Sequence, residues 1–109
     1  MSGVAKLAMA YCPFGSTEEA ARISRQLVEE KHVACANILG ETQSVYRWQG
    51  EIAQEIETAV LFKLRVDAVH GFMDQLTALH SYDEPAILCW NIDAAPDGFV
   101  RWMDGQVRK

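Results

Sequence analysis

The hydrophobic and polar positions of this chain alternate between two periods, and they change period several times along its length. Val4 to Cys12 (VAKLAMAYC) is nearly all apolar, the pattern of a central strand covered on both faces. Pro13, Phe14 and Gly15 interrupt it. Ser16-Thr17-Glu18-Glu19 then fits a capping box, in which Ser16 accepts from the amide of Glu19 and Glu19 reaches back. Ala20, Ile23, Leu27 and Val28 follow at helical spacing, with Arg22, Arg25, Gln26 and Glu29 on the opposite side, and this helix is expected to end near Lys31. Val33 to Leu39 reads as a second strand with a bend at Gly40, and Ser44 to Trp48 continues it. Gln49-Gly50 supplies a turn. Glu57 to Val66 alternates with period two: Thr58, Val60, Phe62, Leu64 and Val66 on one face, Ala59, Leu61, Lys63 and Arg65 on the other.

Asp67 is placed to cap the next helix, whose buried stripe is Val69, Phe72, Met73, Leu76 and Leu79. A loop from His80 to Pro85 leads to a fourth strand, Ala86 to Ile92. Asp97 opens a short terminal helix with Phe99, Trp102 and Met103 on one side. The order β-α-β-β-α-β-α describes an α+β fold of the ferredoxin-like βαββαβ type with an added C-terminal helix. Helices cover one face of an antiparallel sheet whose first and third strands, the most apolar, lie in the centre. The short connections and the lack of any repeat or linker make residues 1–109 one domain.

That arrangement leaves a question at the second face of the sheet, which should be polar in a monomer. Leu61 and Ala59 lie on it, and the fourth strand offers Leu88, Trp90 and Ile92 on one side and Ile87 and Cys89 on the other. An apolar second face needs a partner. The hairpin from Val33 to Val66 is also longer than the other strands require, and its far end carries Tyr46 and Trp48. These aromatics either curl back on their own chain or insert into a neighbouring subunit, and a closed homo-oligomer is the expectation.

Charge and cysteine usage narrow the partners. With 109 residues, net charge −5 and a pI near 5.1, the chain lacks the basic footprint of a nucleic-acid binder and any polybasic segment for a membrane surface. Lys6 interrupts the only apolar run near the N-terminus, so no signal leader is read there and the expected location is cytoplasmic. Three cysteines without paired spacing read as reduced thiols rather than a disulfide framework.

The segments Val33-Ala34-Cys35-Ala36-Asn37-Ile38, Ser44-Val45-Tyr46-Arg47-Trp48-Gln49-Gly50-Glu51-Ile52, Glu57-Thr58 through Lys63, and Leu79-His80-Ser81-Tyr82-Asp83-Glu84-Pro85-Ala86-Ile87 resemble the CutA family of divalent-cation tolerance proteins, as does the terminal Phe99-Val100-Arg101-Trp102. The resemblance spans nearly the whole chain. It implies a ferredoxin-like subunit in a tight homotrimer, with hairpin strands extending sheets between subunits. It also implies a part in tolerance of divalent metals, copper above all, with no established catalytic reaction and no obligatory cofactor. Members of the family usually carry proline where this chain has Ser81, which predicts a less rigid loop. The Cys12-Pro13-Phe14-Gly15-Ser16 segment is longer than the family's usual turn.

Candidate chemistry is sparse. Thiolates suit Cu(I), and imidazole suits Cu(II) or Zn(II). The metal candidates are Cys35 and His80, with Cys12 as a third; no CxxC or HExxH spacing supports them locally. Cys12 and His80 are expected at one end of the sheet and Cys35 at the other, so a site using all three needs a subunit boundary. Burial as small hydrophobes is the competing reading of Cys12, Cys35 and Cys89. His70 reads as a solvated helix residue and His32 as a helix-end residue. Asp83 is placed to orient the imidazole of His80. Lys63, on the open face, pairs with Glu57 or a neighbour's acid, or lines an intersubunit cleft with Trp48, Tyr82 and Asp83.

Three other readings remain. Thiol chemistry at Cys12 has a helix N-terminus nearby but no resolving cysteine. Acyl-phosphate hydrolysis lacks a basic residue between Pro13 and Thr17. A trimeric regulatory protein in the manner of PII, binding a small ligand at intersubunit clefts, rests on fold analogy. No catalytic residue is assigned, and no enzyme activity is expected.

Overall fold

A computed structural model describes residues 6–108. In chain order the elements are β1 (Leu7–Phe14), α1 (Thr17–Glu29), β2 (Cys35–Trp48), β3 (Glu51–Arg65), α2 (Val69–Leu79), β4 (Leu88–Asn91) and α3 (Asp97–Gln106). The strands form one antiparallel sheet in the order β2-β3-β1-β4, with the first and third strands central as the apolar pattern requires. The fold is the α+β ferredoxin-like arrangement.

Register explains the core. Ala8 faces Leu64, Ala10 faces Phe62 and Cys12 faces Val60 across the β1–β3 ladder, so these six side chains share one face. Ala20, Ile23 and Leu27 of α1 and Phe72 and Leu76 of α2 close over them, and all are buried. Phe62 meets Phe72 with ring centroids 5.2 Å apart and Phe14 edge-on at 6.4 Å. Each such Leu or Phe contributes about 1.5–3 kcal/mol on burial.

Several expectations change. β1 does not stop at Cys12: Pro13 stands opposite Ala59 and Phe14 opposite Thr58. β4 pairs β1 only from Ala8 to Tyr11, so beyond Tyr11 that side of β1 is vacant. The carbonyl of Pro13 points to this side, toward His80, and so does the place where an N–H would be. A proline is tolerated there because no ladder bond is lost. Val4 and Ala5, part of the first predicted strand, lie outside the described residues.

Ser16 caps α1 as predicted, its Oγ accepting from the Glu19 amide at 3.1 Å. The helix ends near Lys31 as expected: its last residue is Glu29, its C-cap Glu30, and Lys31 adopts a left-handed φ of 63°. Asp67 does not cap α2. A 3-10 turn at Val66–Ala68 precedes that helix, and the Asp67 carboxylate instead accepts from Arg65 Nε at 2.9 Å. β4 is shorter than Ala86–Ile92 because Ile87 turns its amide to the carbonyl of Pro85.

β2 and β3 are continuous strands, not interrupted between Gly40 and Ser44. The bend expected at Gly40 is a bulge: the register shifts between Ile38 and Gly40, and Gly40 has φ 99°. The turn at Gln49 (φ 51°) and Gly50 (φ 82°) has both central residues left-handed, as tight hairpins prefer. The molecule measures 52 × 25 × 22 Å, the long axis reflecting this hairpin.

α3 starts at Asp97 as predicted, and of the expected trio Phe99, Trp102 and Met103 only Met103 is buried, with Val100 beside it. Phe99 and Trp102 are partly exposed and stack on each other at 5.9 Å. The helix crosses one end of the open sheet face. Buried Arg65 holds it there, its guanidinium donating to the carbonyls of Asp104 (3.2 Å), Val107 (2.8 Å) and Arg108 (2.6 Å). One guanidinium thus bonds a last-turn carbonyl of the helix and two carbonyls of the segment just past it.

Candidate functional site

A connected polar constellation gathers where the His80–Pro85 loop meets the end of β1. His80 follows α2 directly, and its amide still bonds the carbonyl of Leu76. The ring is buried, stacked on Phe14 at 4.7 Å and tilted against Tyr82 at 4.7 Å. Nδ1 accepts from the Tyr82 amide at 3.1 Å, so the proton sits on Nε2, which donates to the Pro13 carbonyl at 2.9 Å. Backbone groups therefore orient this imidazole. Asp83, expected in that role, is exposed.

Two carboxylates hold the same loop. Glu19, buried at the start of α1, accepts from the Ser81 amide at 2.8 Å and from its hydroxyl at 3.0 Å. Burial pushes its carboxyl up, but the two Ser81 bonds, His80 nearby and the Gly15 amide outweigh it and hold the group below its ordinary value. Ser81, where proline was the family's usual residue, thus ties the loop down through Glu19. Tyr82 donates its hydroxyl to Glu57 Oε2 at 2.9 Å. Burial, then that bond and the surrounding carboxylates, push the phenol well above its usual range. Gly15 lies against this pair, where a Cβ would come to ordinary contact distance, 3.4 Å, from Tyr82 Oη. Beside Glu57, Thr58 Oγ1 lies 2.8 Å from Thr17 Oγ1.

Sequence reasoning missed Glu19 and Glu57 in these roles. The capping box flagged Glu19 but assigned its carboxylate to the helix end. Glu57 was expected near Lys63, whose Nζ instead donates to Asn37 Oδ1 at 2.9 Å. Pro13 contributes only a carbonyl, for which residue type gives no signal.

The three thiols are all free, and they are unlike one another. Cys12 is fully buried with Sγ 3.4 Å from the Pro13 carbonyl oxygen. Burial, then Glu19 and Glu57, push its pKa up to about 12, so it is a neutral thiol at ordinary pH. Cys35 is half-buried on the open face opposite Lys63; burial raises its pKa while Lys63 pulls the other way. Cys89 is half-buried opposite Ala10 on the helix-covered face, its pKa raised by burial. Cys12 and His80 converge on one carbonyl, that of Pro13. Cys35 sits on the other face of the sheet and farther along β3, opposite Lys63 rather than Val60. Among the described residues, no group of three or more His, Cys, Asp and Glu side chains is arranged to hold a metal ion.

The predicted cleft residues are likewise spread out within one chain. Tyr82 and Asp83 lie in the loop, and Lys63 lies on the open face with its Nζ 6.0 Å from the Phe99 ring. Trp48 is at the hairpin tip and 63% exposed. Val45, Tyr46, Ile52 and Ile56 are exposed along the same hairpin, and Leu88 and Trp90 are exposed on β4. The bulge places Thr42, Ser44, Tyr46 and Trp48 opposite Glu57, Glu55, Ala53 and Glu51, so one ribbon face carries both aromatics and three carboxylates.

Against known proteins, the family model described as CutA1 divalent ion tolerance protein matches residues 8–106. The protein CutA homolog of Danio rerio is 34% identical over 104 residues, spanning 94% of this chain and 67% of that protein. Two solved structures are similar throughout. The divalent ion tolerance protein CutA1 of Ehrlichia chaffeensis has a TM-score of 0.89 at 36% identity, covering 93% of this chain and 94% of that one. The periplasmic divalent cation tolerance protein CutA of Archaeoglobus fulgidus has a TM-score of 0.90 at 33% identity, covering 94% and 99%.

Proposed function

The chain belongs to the CutA1 divalent ion tolerance protein family, and on that premise we propose that it is a divalent-cation tolerance protein, a self-assembling accessory of metal homeostasis that catalyses no reaction. The observation that carries the self-assembly is the hairpin beyond Gly40, which leaves Val45, Tyr46, Trp48, Ile52 and Ile56 exposed. Apolar surface of that extent on a projecting ribbon favours insertion into another copy, and a homotrimer is the closed form proposed. The two groups best suited to catalysis are committed elsewhere. Both nitrogens of His80 hold the loop, and the Cys12 thiol stays protonated.

Copper is the foremost metal proposed as cargo. Cys35 is its anchor: it lies on the open face, where a second subunit can supply further donors. His80 joins such a site only by giving up its bond to Pro13 or to Tyr82, and Cys12 only by losing its proton. The reduced thiols fit a cytoplasmic setting, and fractionation of the native host tests this against the periplasm named for the Archaeoglobus relative.

Copper titration of the wild type and of a Cys35→Ser, His80→Ala double variant tests the metal role. The double variant is expected to bind fewer ions or bind them more weakly; unchanged stoichiometry and affinity would remove both residues from it. The PII-like reading separates in a thermal-shift screen, where stabilisation by a nucleotide and none by metals would favour a regulatory ligand.

A further inference from the structure

Where β3 leaves the core, two consecutive residues are tied from opposite sides. Glu57 and Thr58 are its last buried residues toward the tip, and Ile56 beyond them is exposed. Successive strand residues point to opposite faces. Tyr82 holds Glu57 from one face, and Thr17 holds Thr58 from the other. Tyr82 is itself anchored, because its amide bonds His80 Nδ1 and the adjacent Ser81 is fixed to Glu19. On the partner strand, the Gly40 bulge lies level with Ala59 and bends the ribbon there.

We propose that the His80–Pro85 loop and the first turn of α1 clamp the root of the hairpin, so that Tyr82 and Thr17 aim the ribbon and thereby determine the assembly it makes. This rests on the self-assembly reading and adds to it positioning residues that need not touch the neighbouring subunit. The lever is long. A strand from Thr42 to Trp48 runs ~20 Å, so a rotation of about 10° at the root moves the tip about 3–4 Å. Close-packed contacts do not absorb such a shift. A two-stranded ribbon has little stiffness of its own, so its direction depends on how its root is held. One tie on each face opposes rotation both ways.

The test compares wild type, Tyr82→Phe, Thr17→Val and Glu57→Gln by sedimentation velocity over a dilution series and by amide hydrogen exchange. Tyr82→Phe and Thr17→Val are each expected to raise the concentration of half-dissociation at least tenfold. They should speed exchange at Gly40–Ser44 and Gln54–Thr58 and leave Ala8–Cys12 and Ile23–Leu27 unchanged. Glu57→Gln keeps an oxygen that accepts from Tyr82, and it should dissociate within threefold of wild type. Wild-type dissociation of both Tyr82→Phe and Thr17→Val overturns the inference while leaving self-assembly standing. Equal acceleration of core and root exchange also overturns it, because the ties would then serve general stability. A wild-type chain that is monomeric at every concentration defeats the self-assembly reading itself, and this inference with it, before any variant is compared.

Discussion

The Nε2 atom of His80 donates to the carbonyl oxygen of Pro13 across 2.9 Å, and this bond closes the end of β1 that β4 leaves vacant. The same missing β4 partner explains how a proline occupies a central strand. Replacing His80 with Ala removes a buried ring stacked on Phe14 and leaves that carbonyl only the weak thiol donor of Cys12. The cost is expected to be about 2–4 kcal/mol in urea unfolding. His80→Gln, whose amide can still donate, should lose less. A His80→Ala variant as stable as wild type would mean that the ring does not secure the loop.

The Glu19–Ser81 contact makes a prediction about acid. Glu19 titrates below its ordinary value in the folded chain, so the unfolded chain takes up the proton first as pH falls. The stability it supplies is complete at neutral pH. It is lost as pH drops through the ordinary carboxylate range and then through the lower folded pKa. Glu19→Gln should therefore be less stable at pH 7, and its stability should fall less steeply toward acid. Unfolding midpoints from pH 7 down to pH 3 check this; parallel curves for the two proteins would contradict it.

Thiol reactivity should separate the cysteines. At pH 8 a thiol with a pKa of about 12 is ionised only about one part in ten thousand, and Cys12 is fully buried as well. With a disulfide reagent, Cys35 and Cys89 are expected to react before Cys12. Cys12 should require unfolding, with a rate at least a hundredfold slower than the faster pair. Single-cysteine variants assign each phase. Prompt reaction at Cys12 would show that the end of β1 opens readily.

Much of this architecture was legible in the chain because it depends on local pattern. The apolar run of β1, the period of α1 behind Ser16, the alternation from Thr58 to Leu64 and the Gln49-Gly50 turn each carry their own signal. What was not legible depends on competition between distant groups. Asp67 looks like a helix cap until buried Arg65 claims it. Glu19 looks like half of a capping box until the Ser81 amide and hydroxyl reach it. Phe99, Trp102 and Met103 share one side of α3 in the sequence pattern, but only Met103 is buried, together with Val100, where Arg65 ties the helix end to the sheet. The commitment of both His80 nitrogens was invisible because their partners are a carbonyl and an amide, which every residue type supplies.

The central claim is that the projecting hairpin holds copies of this chain together, and Trp48, 63% exposed at its tip, is the place to test it. A carboxylate there makes burial costly without touching the core. Sedimentation velocity of wild type and Trp48→Asp, with far-UV circular dichroism on the same samples, is the most direct measurement. The account predicts a trimeric wild type and a Trp48→Asp variant that dissociates while its helices remain intact. A Trp48→Asp protein that stays as fully trimeric as wild type would contradict it.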